Sequence, residues 1–120
     1  MRCQIFTRTL PLVLIAILSA CTGNEDSDAY LTDPESLTRR QCGHCHSFVS
    51  GYRKTGPSLQ GVFGRIPKIS GVPYAAWDEK SLDEWIENPT RVKPTTTMAI
   101  PGIKSAEKRA VIIEYLKQLQ

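Results

Sequence analysis

The sequence contains few of the residues that build metal sites and disulfide networks. Its 120 residues include four cysteines, two histidines and two methionines. Cys3 precedes an N-terminal apolar run and would be removed with it, and Cys21 follows that run as a candidate lipidation site, so only Cys42 and Cys45 remain for the rest of the chain. One remaining pair excludes the disulfide framework that stabilises many small secreted domains. These two cysteines must therefore have a dedicated role.

The chain also lacks internal repeats, alternating strand patterns and an apolar run long enough to span a bilayer comfortably. The run from Leu10 to Leu18 follows two arginines, which is typical of a secretory signal. It ends in "LSAC", residues 18–21, which resembles the bacterial lipoprotein signal in which the cysteine thiol receives a diacylglycerol. The alternative is an ordinary signal peptide with an incidental cysteine, cut at or near Ala20.

These features divide the chain into three parts. Residues 1–20 are predicted to be a lipoprotein signal peptide, and residues 21–33 a lipidated Cys21 followed by a flexible acidic linker. Residues 34–120 are predicted to form one domain. Acyl chains on Cys21 would hold that domain on a membrane, on the side to which it was exported.

Three short helices are predicted in the domain. The first begins at Pro34, is capped by Thr32 or Asp33, and runs toward Gln41. The second is capped by Ser81 and ends before Pro89. The third runs from Ser105 to about Gln118. Residues 47–76 are rich in glycine and proline and are predicted to be loops. Such a domain has a small core for its length, so a bulky apolar cofactor would complete it.

The segment "CGHCH", residues 42–46, allows three interpretations. A redox Cys-x-x-Cys pair needs a strand context that is missing here. A zinc site needs four ligands, and apart from Cys42, Cys45 and His46 only the spacer residue His44 is available. Cys-x-x-Cys-His is also the haem c attachment motif, in which two thiols add to the haem vinyl groups and the histidine becomes an axial ligand. This third interpretation fits all of the residues, with His46 as the ligand.

The second axial ligand is predicted to be Met98. Met1 leaves with the signal peptide, so Met98 is the one thioether available, and it lies in the loop "VKPTTTMAIPG". Packing in the core is the alternative role for a lone methionine. His/Met ligation closes both axial positions and suits one-electron exchange.

Four ordered segments together resemble class I cytochrome c of the mitochondrial type. They are "CGHCH", "TGPSLQGVFGR" (residues 55–65), "WDEKSLDEWIENPTRVKPTTTM" (residues 77–98) and "GIKSAEKRAVIIEYLKQL" near the C-terminus. The resemblance implies an all-α class I cytochrome c fold, with long loops wrapped around one covalent haem c. It also implies an electron carrier, not an enzyme.

The family resemblance suggests haem-contacting roles for further residues. The Pro57 carbonyl would accept a hydrogen bond from His46. Arg65, Tyr74 and Trp77 would lie near a haem propionate, with Thr96 as another donor. Trp85 would lie beside Met98 or simply pack in the core. Several positions depart from the family. Pro34 and Thr38 replace a usual glycine and aromatic, so the contact between the first and last helices would be repacked, for example through Leu37 and Tyr115. Ile100 replaces a common phenylalanine near the haem edge, and the loop before Trp77 is shortened.

From Leu37 onward the chain carries thirteen basic and seven acidic side chains. By resemblance, the exposed haem edge would be ringed by basic residues, namely Arg53, Lys54, Arg91, Lys93 and Lys104, which would steer an acidic redox partner. The alternative is a merely solvated basic surface. No basic stripe with interleaved aromatics suggests nucleic acid.

The resulting expectation is a monomeric, lipid-anchored carrier at the periplasmic face of a bacterial membrane. It would shuttle electrons from a quinol-oxidising complex or dehydrogenase to a terminal oxidase or reductase. The alternatives are a haem c subunit of a larger membrane oxidoreductase, or a ligand-binding haem sensor in which Met98 is displaced.

Overall fold

A computed structural model of the chain describes residues 33–120. The predicted signal peptide, the lipidation site Cys21 and all but the last residue of the linker lie outside the described residues. The described part forms four helices: α1, Pro34–Cys42; α2, Glu79–Glu87; α3, Pro89–Val92; and α4, Ala106–Gln118. No helix among residues 33–120 is long and apolar enough to cross a membrane. This all-helical architecture agrees with the predicted fold class.

Helix α1 begins as its sequence predicts. The Asp33 carboxylate accepts a hydrogen bond from the Ser36 backbone N–H at 2.8 Å, and Pro34 occupies the first turn, where no backbone donor is needed. Of the two predicted caps, Asp33 is thus the one observed, while Thr32 lies outside the described residues. The helix ends at Cys42, one residue beyond the predicted end.

The predicted cap of α2 was wrong. Asp78, not Ser81, is the N-cap, and its carboxylate accepts from the Ser81 N–H at 2.8 Å. The Ser81 hydroxyl in turn accepts from the Asp78 N–H at 2.8 Å, so the two residues form a reciprocal capping box. The helix therefore starts three residues earlier than predicted. Its predicted end before Pro89 is confirmed, with Asn88 as the C-cap.

The short helix α3 was not predicted. Asn88 closes α2 and also caps α3, because its side-chain oxygen accepts from the Arg91 N–H at 3.1 Å. Pro89, which stops one helix, occupies the first turn of the next and is buried. A single residue, Asn88, thus separates the two helices.

Helix α4 packs against both α1 and α2. Ser105 caps it as predicted, and it ends at Gln118. Nine buried apolar side chains form the core: Leu37, Val62, Trp77, Leu82, Trp85, Ile86, Ile112, Ile113 and Leu116. The segment between α1 and α2 contains no helix or strand, in agreement with the predicted loops.

The junction of α1 and α4 uses an aromatic residue that sequence reasoning missed. Thr38 is fully buried, and its hydroxyl donates to the Pro34 carbonyl at 2.6 Å, so it packs without an unpaired polar group. The Phe48 ring meets the Tyr115 ring edge-on at 6.2 Å, and the Arg39 guanidinium lies 4.7 Å from the Phe48 centroid. Phe48 therefore supplies the aromatic ring that position 38 lacks, while Leu37 is buried in the core.

Candidate functional site

The cysteine and histidine motif forms a tight turn at the end of α1. The N–H groups of Cys45 and His46 both donate to the Cys42 carbonyl, at 3.2 and 2.9 Å. Cys42 and Cys45 form no disulfide. Burial, reinforced by the neighbouring Cys45, raises the pKa of the Cys42 thiol to about 11. A reactive redox cysteine is typically found where its pKa is lowered, so this environment does not suit thiol–disulfide exchange at Cys42.

The His46 ring contacts two consecutive loop residues, Gly56 and Pro57. Its Nδ1 lies 2.7 Å from the Pro57 carbonyl oxygen, the partner that the resemblance implied. As Nδ1–H is the donor in that contact, Nε2 is the nitrogen with a lone pair for a metal. Gly56 lies against the ring face, where an added β-carbon would come within 2.4 Å of Cε1. Gly56 was not singled out from the sequence, although it forms part of the quoted "TGP" segment.

The Met98 thioether lies beside an indole donor. The Trp85 Nε1–H donates to the Met98 sulfur at 3.2 Å, and the Met98 N–H donates to the Thr96 hydroxyl at 3.1 Å. Both Trp85 and Thr96 are buried. Trp85 therefore packs in the core and also contacts the methionine sulfur, which unites the two roles considered for it. Thr96 uses its hydroxyl to shape the methionine loop.

The downstream end of the methionine loop is anchored on α2. Gly102 has φ +75° and passes so close to the helix that an added β-carbon would lie 2.0 Å from the Glu87 carbonyl oxygen. Next to it, the Ile103 N–H donates to the Ile86 carbonyl at 2.9 Å, and the Lys104 ammonium donates to the Glu87 carbonyl at 2.8 Å. These contacts position the loop that carries Met98.

Arg109 on α4 strengthens the same junction and was missed from the sequence. Its guanidinium forms an ion pair with Asp83 of α2 at 2.6 Å and donates to the carbonyls of Ile103 and Lys104 at 3.0 and 2.9 Å. Arg109 is buried, and its Nε, Nη1 and Nη2 groups all donate to partners within the protein. The one sequence feature that could have indicated this role is the position of Arg109 in the apolar face of α4.

Arg65, Tyr74 and Trp77 occupy one region of the loop segment. The Trp77 N–H donates to the Arg65 carbonyl at 3.0 Å, and the Trp77 ring lies 5.5 Å from the Tyr74 ring and 5.5 Å from the Trp85 ring. The Arg65 guanidinium donates to the Ser58 carbonyl at 3.1 Å. The rings of Tyr74, Trp77 and Trp85 thus form a chain of tilted aromatic contacts that ends at the Met98 sulfur.

The Tyr74 hydroxyl donates to the Glu84 carboxylate at 3.0 Å. Burial, together with this bond, raises the pKa of Tyr74 to about 12, so the phenol stays neutral. Lys80 and Tyr74 both donate to Glu84 and lower the pKa of its carboxyl group. Tyr74 therefore ties the loop before Trp77 to α2.

The residues present suit a covalent haem. Two free thiols lie three residues apart in the turn at the end of α1, and the His46 ring is oriented with Nε2 available. Residues 33–120 contain no group of three or more histidine, cysteine or acidic side chains placed to hold a metal ion.

Comparison with known proteins decides between the interpretations of the motif. The chain is 37% identical over 95 residues to cytochrome c of Euglena viridis, which covers 72% of this chain and 93% of that protein. It is 35% identical over 105 residues to cytochrome c of Ginkgo biloba, with 77% and 93% covered. The chain belongs to the cytochrome c family. No family model matches it.

A solved structure supports the same assignment. The fold is similar to that of cytochrome cH from Methylobacterium extorquens, with a TM-score of 0.60 and 30% identity over 71% of this chain and 95% of that one. Cytochromes c are electron carriers, not enzymes, and bind one covalent haem c. Cys42, Cys45 and His46 fit the attachment motif, so the haem interpretation is confirmed.

Proposed function

We propose that this cytochrome c is a membrane-tethered carrier of single electrons in the bacterial cell envelope, with His46 and Met98 as the axial ligands of its haem iron. The observation that carries the ligand assignment is the hydrogen bond from the Trp85 indole to the Met98 sulfur. Indole N–H is a donor only, so it occupies one sulfur lone pair and leaves the other for a metal. The haem supplies a one-electron couple between ferric and ferrous iron.

Residues of the chain hold both proposed ligands in place, which limits their movement during electron exchange. The Pro57 carbonyl holds the His46 ring in one tautomer, and Gly102 with Arg109 holds the methionine loop on α2. Ligands that are already held in place need little rearrangement when the charge on the iron changes. By resemblance, Arg65, Trp77 and Thr96 lie toward the propionates, where donors offset a buried anion.

The axial ligands can be tested by visible spectroscopy of the exported holoprotein. We expect a c-type spectrum in both oxidation states that does not change when carbon monoxide is added to the reduced sample. A Met98→Ala variant should retain the haem but bind carbon monoxide, because one axial site is then open. Carbon monoxide binding by the unaltered protein would favour the sensor alternative.

The tether is proposed from the segment ending at Cys21, where two or more acyl chains would give stable membrane attachment. Donors and acceptors in the same membrane would then be found by search in two dimensions. The test is the fractionation of the holoprotein and of a Cys21→Ser variant, with mass spectrometry of the mature N-terminus. We expect a diacylglycerol adduct and membrane location for the first, and release into the soluble periplasmic fraction for the second. Constant co-purification with one large complex would favour the subunit alternative.

A further inference from the structure

One lysine differs from the others in its surroundings. Four of the chain's seven lysines donate from their ammonium groups to a carbonyl or carboxylate oxygen, namely Lys54, Lys80, Lys104 and Lys117. Lys68 and Lys108 are exposed, so water solvates their charge. Lys93 is half-buried, yet its ammonium forms no ion pair or hydrogen bond with any group in residues 33–120. Withdrawing a cation from water without a partner costs free energy, so an anion is expected beside it.

The backbone holds Lys93 at the point where α3 ends and the methionine loop begins. The Lys93 N–H donates to the Pro89 carbonyl at 2.9 Å, and the Lys93 carbonyl accepts from the Thr96 N–H at 3.0 Å. Because both backbone groups are bonded, the side chain leaves the backbone from a fixed point.

The Lys93 ammonium lies against the loop that connects Arg65 to Trp77. A β-carbon added at Gly71 would lie 3.1 Å from the Lys93 Nζ, and Gly71 has φ +77°. Glycine therefore permits the turn and also leaves room for the ammonium. The base of the loop is closed by the bond from the Trp77 N–H to the Arg65 carbonyl at 3.0 Å. Lys93 thus reaches a loop whose two ends carry residues that the resemblance places near a propionate.

The other donors suggested for the propionates are partly engaged elsewhere. The Tyr74 hydroxyl donates to the Glu84 carboxylate at 3.0 Å, so it already has an anionic partner. The Arg65 guanidinium donates to the carbonyls of Ser58 and Gln60, at 3.1 and 3.4 Å. None of the ion pairs found in residues 33–120 involves Arg65, so its charge has no carboxylate beside it.

The charges of the chain and of the cofactor match in number. Among the lysines and arginines of residues 33–120, Arg65 and Lys93 are the two that are half-buried and have no carboxylate partner. A haem has two propionates, and each propionate brings one carboxylate. Hydrogen bonds between charged groups are stronger than those between neutral groups, most of all where water is excluded. Two cations are therefore available for two carboxylates.

We propose that the Lys93 ammonium binds one propionate of the haem, alongside Arg65, which the resemblance already suggests for this role. Lys93 then serves the cofactor and not the predicted ring of basic residues that would meet a partner protein. The inference rests on the covalent haem alone and does not depend on the proposed axial ligands or on the proposed tether.

The test observes the propionates directly. Growth on 5-aminolevulinate labelled with carbon-13 at its carboxyl carbon labels both propionate carboxylates, which NMR then detects in the reduced holoprotein. We expect Lys93→Met to move one of the two carboxylate signals, and Lys93→Arg to move it less because the charge is kept. Lys93→Gln is the second neutral variant if Lys93→Met does not fold. Lys68→Met removes an exposed lysine from the same loop that Lys93 contacts and should move neither signal.

The reduction potential gives an independent measure. A cation beside a propionate disfavours the additional positive charge of ferric iron, so its removal should favour the ferric state. At a fixed potential we expect the ratio of ferric to ferrous protein to rise about threefold to tenfold in Lys93→Met, which corresponds to a fall in potential of about 28 to 59 mV. Lys93→Arg should restore most of the difference, and Lys68→Met should change the ratio less.

Carbon monoxide distinguishes this role from a loosening of the methionine loop, which Lys93 begins. Reduced Lys93→Met should bind no more carbon monoxide than the unaltered protein does. The proposal is overturned if the carboxylate signals are the same in Lys93→Met and the unaltered protein, if Lys68→Met moves them equally, or if Lys93→Arg restores nothing. It is also overturned if the potential falls only together with new carbon monoxide binding. The substitution would then act on the loop and not on a propionate, and the Lys93 stem would simply cover apolar surface while its ammonium reaches water.

Discussion

At the scale of single residues, the contact between Trp85 and Met98, the proposed second ligand of the iron, has the most direct chemical consequence. A hydrogen bond to a thioether withdraws electron density from sulfur and makes it a poorer donor to ferric iron. The ferrous state, which needs less donation, is thereby favoured. The Trp77 ring at 5.5 Å holds the indole in place.

We therefore expect Trp85→Phe to lower the reduction potential of the holoprotein. The fall should be on the order of tens of millivolts, because one neutral hydrogen bond contributes about 1 kcal/mol and a one-electron couple shifts about 59 mV per tenfold change. Potentiometric titration followed in the visible spectrum measures it. Trp85→Tyr retains a donor group and should lower the potential less. An unchanged or raised potential in Trp85→Phe would show that the indole does not act on the sulfur.

At the scale of helices and loops, the capping box of α2 makes stability depend on pH. The Ser81 backbone N–H and then its hydroxyl lower the pKa of Asp78 below its ordinary value of 3.8. A lowered folded-state pKa means that the carboxylate contributes stability above the unfolded pKa. That contribution is lost as the pH falls through the folded value.

Asp78→Asn should remove this acid-sensitive contribution while keeping a capping oxygen. We expect the variant to be less stable than the unaltered protein at pH 7, with the difference shrinking toward about pH 3. Urea unfolding of the holoprotein at several pH values measures it. Glu114→Gln, an exposed change on α4 away from any helix start, serves as the control. A difference that stays constant with pH would mean that the Asp78 charge does not contribute.

The approach of Gly102 to α2 supports a second prediction at this scale. Gly102→Ala would force a β-carbon against the Glu87 carbonyl at a backbone angle that favours glycine, and should destabilise the holoprotein by about 1 to 3 kcal/mol. The loop carrying Met98 should also loosen, so added imidazole should displace Met98, as the proposed ligand, at lower concentration. Lys104→Met removes only the neighbouring side-chain bond and should have a smaller effect. Equal imidazole affinity in all three proteins would argue against this junction as the anchor of the loop.

The sequence predicted helix ends well where the residues that set them lie within one turn of the end. Asp33, Ser105 and Pro89 act within one helical turn, and the helix ends they define were predicted to within a residue or two. The start of α2 was misplaced because Asp78 and Ser81 are both good caps, and only the folded backbone shows which one occupies that position. Phe48 could not be identified because it packs against Tyr115, far along the chain. Such pairings depend on the path of the loops, which periodicity does not determine.

The motif residues were predicted well for a similar reason. Cys42, Cys45 and His46 are adjacent in sequence, so their spacing carries the chemistry. Arg109 and Gly102 support the site through contacts with α2, and their sequence neighbours do not reveal those contacts, apart from the place of Arg109 in an apolar helical face. Sequence reasoning therefore identified the groups that hold the haem better than the groups that hold the loops around it.

At the scale of the whole molecule, the long loop segment contributes little fully buried apolar surface. Of the nine apolar side chains buried within residues 33–120, only Val62 and Trp77 come from the stretch between α1 and α2, and others there, such as Leu59 and Phe63, pack on the core only partly buried. A small apolar core cannot offset the conformational entropy of ordering so many loop residues. A covalent haem adds both apolar surface and a link between the loops, so the fold should depend on it.

We accordingly expect a Cys42→Ala/Cys45→Ala double variant, exported from a host that matures cytochromes c, to lose most of its helical signal by far-ultraviolet circular dichroism. Its urea transition should be broad, because isolated helices of nine to thirteen residues are marginal in water. His44→Ala changes only the exposed spacer, leaves both thiols in place and should retain haem and helix content. If the double variant kept native ellipticity and a sharp transition, the polypeptide core would be sufficient alone. The haem would then serve electron transfer without being needed for folding.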